Sequence, residues 1–147
     1  MFTRIVVGTD GSDTAAEAVR QAVGLAKLTD ASLSLVSAYS PVPRRQVKHE
    51  QQDAPADVQY EIGPREDVNL ILDAAAARVR EEGVEVQTHA VEADPADAIL
   101  NVAEETKADL IVVGNKGMTG ARRYLLGSVP NNVSHHAPCS VLIVRTT

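Results

Sequence analysis

The chain has 147 residues, 44% of them apolar but only 3% aromatic, and carries a formal net charge of −6. That length supports one domain around one core, built from Val, Leu, Ile and Ala rather than from aromatic rings. The negative balance argues against a general affinity for nucleic-acid backbones or anionic lipid, and no apolar run approaches the ~20 residues that a membrane-spanning helix needs.

The opening IVVGTD is a short apolar run ending in Gly8, Thr9 and Asp10, and reads as a buried strand. Ser12 can cap the helix that follows, whose apolar positions Ala15, Val19, Ala22, Val23 and Ala26 keep helical spacing. A second strand runs from Ser32 to Tyr39. Residues 41 to 63 are polar, proline-containing and of mixed charge, and read as a mobile surface loop, unusually long for a structureless connection. Val68, Ile71, Leu72, Ala75 and Val79 then mark a second helix, stopped near Gly83. Val84 to Val91 is expected to be a third strand. Asp94-Pro95 opens a helix with a capping carboxylate and a proline in the first turn, continued by Ala96, Ile99, Leu100 and Ala103. LIVVG, ending at Gly114, is a fourth strand; Ser128 to His136 is a short helix; Ser140 to Val144 is a fifth strand. Strand and helix alternate throughout, which predicts an α/β architecture with a mostly parallel sheet and helices on both faces, in a single domain over residues 1–147.

Two features fall where open α/β sheets bind ligands, beyond the carboxyl ends of strands. Asp10 follows the first strand and Gly114 closes the fourth; if those strands are neighbours, both face one crevice. The stretch VVGNKGMTGARRYLLGSVP holds Gly114, Gly117 and Gly127-Ser128. Glycine lets backbone approach a ligand closely, and Gly127-Ser128 stands just before a helix whose free amides favour an anion. The expected donors are the amides of Gly127, Ser128 and Val129, with the Ser128 hydroxyl; Pro130 has no amide hydrogen to give. The stretch lacks both G-x-x-x-x-G-K-[ST] and G-x-G-x-x-G, so neither a Walker loop nor the usual dinucleotide fingerprint is present. The plainer readings stand beside this one: a flexible connection for the glycines, a turn cap for Asp10, and solvated surface for Lys116, Arg122 and Arg123.

The pattern Gly114-x2-Gly117-x9-Gly127-Ser128 resembles the nucleotide loop of the universal stress protein family, ATP-binding branch. IVVGTDGS, ADLIVVGNKG, LLGSV and HAPCSVLIVR match as well, so that the resemblance covers essentially the whole chain. It implies a five-stranded parallel sheet in the order 3-2-1-4-5 that binds ATP or another adenine nucleotide, AMP and cyclic AMP included, with magnesium arriving only on bound ATP. Carried over by position, Gly8, Thr9 and Asp10 meet the nucleoside, Ala38 the adenine edge, and Val113 and Gly114 the ribose and phosphates, while Gly117, Gly127, Ser128 and Val129 cradle the phosphates. The sequence departs at Ala38, where valine is common, and at Pro130, where an amide is usual.

No catalytic residue is assigned: Asp10 is the only obvious carboxylate at the site, and neither a general base nor a G-x-S-x-G elbow stands by the loop. His49, His89, His135 and His136 show no metal-ligand spacing. The single cysteine, Cys139, reads as a buried structural thiol in a reducing compartment. With no signal-peptide core at the N-terminus, the expectation is a cytoplasmic stress-response protein that binds adenine nucleotide as a binding or signalling module and pairs into a homodimer through the bare C-terminal strand. A non-enzymatic interaction protein with a vestigial loop, or a slow ATPase or phosphotransferase, are the alternatives.

Overall fold

The structure, a computed structural model, describes residues 1–39, 59–115 and 126–146. Lys116, Gly117, Arg122, Arg123, His49 and most of the stretch read as a loop lie outside the described residues. The elements in chain order are β1 (Arg4–Gly8), α1 (Asp13–Thr29), β2 (Ser32–Tyr39), α2 (Gln59–Glu81), β3 (Val86–Glu92), α3 (Pro95–Thr106), β4 (Leu110–Gly114), α4 (Ser128–His136) and β5 (Ser140–Val144).

All five strands lie parallel in the order β3-β2-β1-β4-β5. Ile5 pairs with Leu33 on one side and Leu110 on the other, so that β1 is the central strand. Successive residues of a strand point to opposite faces; in β1 and β4 both faces are covered, which is why IVVG and LIVVG read as apolar runs. On one face Ile5, Val7, Leu33, Leu35 and Val112 pack with Ala18, Ala22 and Ala26 of α1 and with Val68, Leu72, Ala76 and Val79 of α2. On the other, Val6, Val36, Ile111 and Val113 pack with Ile99, Val102 and Ala103 of α3 and with Val133 of α4.

Helix ends follow local chemistry with two corrections. Ser12 is the N-cap of α1, its hydroxyl accepting from the Ala15 amide. Asp94 is the N-cap of α3 by position only: its side chain makes no cap hydrogen bond, and Pro95 supplies the start. The second correction concerns α2, whose backbone is already helical over 59–63, inside the stretch expected to be loop. Its apolar signal begins only at Val68 because Arg65, Glu66 and Asp67 are all exposed. α1 and α3 end without glycine, at Asp30 and Lys107, both left-handed (φ 57° and 55°). β3 begins two residues later than expected, at Val86.

Asp109 ties the start of β1 to the start of β4. Its carboxylate accepts from the Thr3 amide (2.8 Å), the Thr3 hydroxyl (2.9 Å) and the Arg4 amide (3.1 Å). Burial pushes this carboxyl up, but the hydrogen bonds together outweigh it and hold it below its ordinary 3.8. Cys139 is half-buried rather than buried; burial, then the charge of Asp109, pushes its thiol up, the direction of an unreactive sulfur.

Candidate functional site

The strand order reverses at β1. From β1 the chain moves outward through β2 to β3, then returns to the other flank of β1 for β4 and β5. At such a reversal the connections leaving adjacent strands diverge to opposite faces, and a cleft opens between them at the carboxyl ends. Here that cleft has a volume of about 310 Å³.

Eight of the residues picked out in the sequence line it. Gly8, Thr9 and Asp10 come from the end of β1, Ala38 from β2, Val113 and Gly114 from β4, and Ser128 and Val129 from the first turn of α4. Gly127 is buried and does not line the cleft, and Gly117 lies outside the described residues.

The structure gives several of these residues a local role of their own. A Cβ on Gly8 would stand 2.7 Å from Ile99 Cδ1, so any larger residue there would require the end of the Ile99 side chain on α3 to shift. Thr9 is buried; its amide donates to the Val36 carbonyl (2.8 Å) and its hydroxyl accepts from the Gly11 amide (3.2 Å). Asp10 Oδ1 accepts from the Ser12 amide (2.9 Å), an Asx-type turn of the kind weighed from sequence. Its carboxylate is otherwise exposed and makes no further hydrogen bond among the described residues.

The first turn of α4 offers fewer free donors than expected. The Gly127 amide donates to the Asn115 carbonyl (3.0 Å) and is not free. Pro130 has no amide hydrogen, which leaves the Ser128 and Val129 amides and the Ser128 hydroxyl. Asn115 was missed in the sequence and holds three pieces together. Its amide donates to the Val144 carbonyl (2.8 Å), its carbonyl receives Gly127, and its side-chain oxygen accepts from the Thr146 amide and hydroxyl (2.8 and 3.0 Å). Only its place after a glycine-ended strand could have signalled this. Ser12, Thr14, Pro95 and Ile99 also line the cleft; in the sequence Ser12, Pro95 and Ile99 carried helix signals that masked a second role.

The groups with displaced titration lie outside the cleft. Glu17 is brought down to about 2 by hydrogen bonds from Arg20 and then Gln21. His89 on β3 is pushed down by burial, against the pull of Glu105, and its Nε2 has no hydrogen-bond partner among the described residues. Among the described residues no three His, Cys, Asp or Glu side chains cluster as a metal set, and no helix is long and apolar enough to cross a membrane. Among the described residues Asp10 is the one carboxylate lining the cleft.

Comparison with known proteins agrees with this fold. The family model described as "Universal stress protein family" matches residues 1–145. A universal stress protein of Mycobacterium tuberculosis is 41% identical over 150 residues, covering 99% of this chain and 98% of its own length. Another from Bacillus subtilis is 34% identical, covering 99% and 100%. Among solved structures, a universal stress protein in complex with cAMP superposes with a TM-score of 0.73 at 35% identity over 99% of this chain and 98% of its own. That of Archaeoglobus fulgidus in complex with dAMP does so with a TM-score of 0.69 at 25% identity, over 97% and 98%.

Proposed function

Because the chain belongs to the universal stress protein family, we propose that it is a cytoplasmic adenine-nucleotide-binding protein of the ATP-binding branch, acting as a binding or signalling module in the stress response. The observation that carries this reading is the cleft itself. The end of β1, the end of β4 and the first turn of α4 meet around one space at the strand reversal. Relatives of the same fold hold cAMP and dAMP, and a cleft that takes adenosine with a phosphate serves ATP, AMP and cyclic AMP alike.

In this reading Asp10, Gly8 and Thr9 receive the nucleoside and Ala38 borders the adenine. Val113 and Gly114 flank the ribose and phosphates. The Ser128 and Val129 amides and the Ser128 hydroxyl meet phosphate at the positive end of α4. Gly127 contributes by shaping the approach to that helix and Gly117 by letting backbone close on phosphate. Magnesium would arrive only with bound ATP. Enzymatic turnover is not part of the proposal, since among the described residues no general base lines the cleft beside Asp10. A second copy of the chain would pair along β5, where Leu142 and Ile143 are each 38% exposed.

Mass spectrometry of nucleotide released from the purified protein tests the reading directly: an adenine nucleotide is expected, and protein that is both free of nucleotide and silent in calorimetry with ATP, AMP and cyclic AMP would refute it. Ser128→Ala, at an exposed position of α4, should weaken ATP about tenfold, or 1.4 kcal/mol. Adenosine, which has no phosphate, should bind both proteins equally.

A further inference from the structure

The cleft is not the only sizeable cavity among the described residues. A groove of about 620 Å³ runs between α1 and α2 on the opposite face of the sheet, twice the volume of the cleft. The two helices sit over different strands, α1 over β1 and β4 and α2 over β2 and β3. They are joined at two places. Ile71 packs against Gly11 at the carboxyl end of the sheet, within 3.2–3.3 Å of where a Cβ would stand. Lys27 bonds Glu82 (2.9 Å) at the other end. Between these ties the groove follows α1 from Ser12 to Val23, about 16 Å at 1.5 Å per residue.

Its wall is apolar: Val19, Val23, Leu70, Ile71, Ala75 and Val79. Leu70 is 69% exposed, a large apolar side chain left facing water. The polar rim holds Arg20, Arg78 and Glu82. Arg20 lies about 12 Å along α1 from Ser12, and Arg78 about 10 Å along α2 from Ile71, so the two arginines stand at about the same level along the groove. Arg20 is engaged with Glu17 (2.6 Å) and Glu82 with Lys27. Arg78 has no hydrogen bond or ion pair among the described residues. On a chain of net charge −6, an unpaired arginine over an apolar slot selects against a neutral oil and for an amphiphile whose head is anionic.

We propose that the groove between α1 and α2 is a second ligand site, for an unbranched acyl chain bearing a carboxylate, with the tail along Val19, Ile71 and Val79 and the head at Arg78. It is separate from the nucleotide cleft but shares Thr9 and Ser12 as a common wall.

The probe is octanoate, whose extended chain matches the about 10 Å from Arg78 to Ile71, titrated below its micelle concentration into the full chain by calorimetry, with octanol as the neutral counterpart. One octanoate per chain is expected, bound at least tenfold more tightly than octanol. Ala74→Trp, at an exposed position lining the groove, should fill it and weaken octanoate at least tenfold, with the circular dichroism spectrum and melting temperature kept. Arg78→Glu should erase the preference for the carboxylate and leave octanol unchanged. Absence of binding, equal affinity in Ala74→Trp, or equal affinity of acid and alcohol in the parent would each overturn the proposal. So would a change of sedimentation on Ala74→Trp, which would make the groove an interface between copies.

Discussion

Gly8 shows how one residue can carry two obligations. It lines the cleft, yet the first atom its side chain would meet is Ile99 Cδ1, 2.7 Å away on α3. Gly8→Ala should therefore destabilise the fold by about 1–3 kcal/mol through overpacking. Ile99→Val, which deletes that methyl, should cost about 1 kcal/mol in the parent and less in the Gly8→Ala background. Urea unfolding of the four proteins checks it: strict additivity would mean that the two sites do not meet. Asp109 is the other residue whose removal has a distinct signature. Asp109→Ala leaves the Thr3 and Arg4 amides to water and should cost about 2 kcal/mol at neutral pH. Because the folded carboxyl titrates below its ordinary 3.8, the stability it adds is complete above that value and is lost as pH falls through the lower folded one. The gap between parent and variant should thus narrow below about pH 4 in parallel unfolding curves. A gap of constant size down to pH 2 would assign the effect to packing alone.

At the scale of elements, the left-handed ends of α1 and α3 make a graded prediction. Lys107 holds φ 55° with a long side chain, a conformation that costs a non-glycine residue roughly 1–2 kcal/mol, part of which glycine would regain. Asp30 holds φ 57° but is of a type that tolerates it. Lys107→Gly should raise stability by about 0.5–1 kcal/mol and Asp30→Gly by less; the order of the two melting temperatures decides it. These ends also mark where sequence was mute, since neither carries the glycine that announces a helix stop. The rest of the element pattern was open to reading for a physical reason. In a strand buried on both faces, such as β4, a run like LIVVG has no polar interruption, and SVLIV stays apolar although β5 is largely exposed; β2, β4, α4 and β5 fall on the residues expected. The beginning of α2 was hidden because Arg65, Glu66 and Asp67, just before Val68, are exposed and give no apolar period. The cleft was legible where ligand geometry needs rare residue types, glycine and aspartate at strand ends. It was illegible at Asn115 and Ile99, whose part depends on neighbours far away in sequence, and at Gly127, whose amide is already bonded to Asn115.

At the scale of the molecule, the sheet has one edge that stays apolar. β5 pairs with β4 alone, and Leu142 and Ile143 on it stay exposed. Two copies joined by this edge would satisfy a two-fold axis. The parent is expected to sediment as a dimer at micromolar concentration, and Ile143→Glu to sediment as a monomer while still binding nucleotide; a monomeric parent would remove the dimer and leave the cleft as it stands. The strand order has a further consequence, in time rather than in space. β1 meets β2 early in synthesis, but its other flank waits for Leu110, roughly 80 residues behind Leu33. At about 5–20 residues per second on the ribosome, that flank stands unpaired for roughly 4–16 s. The nascent chain therefore passes through a stage in which Ile5, Val6 and Val7 form an open template, and it is then, more than after release, that this protein would call on a chaperone.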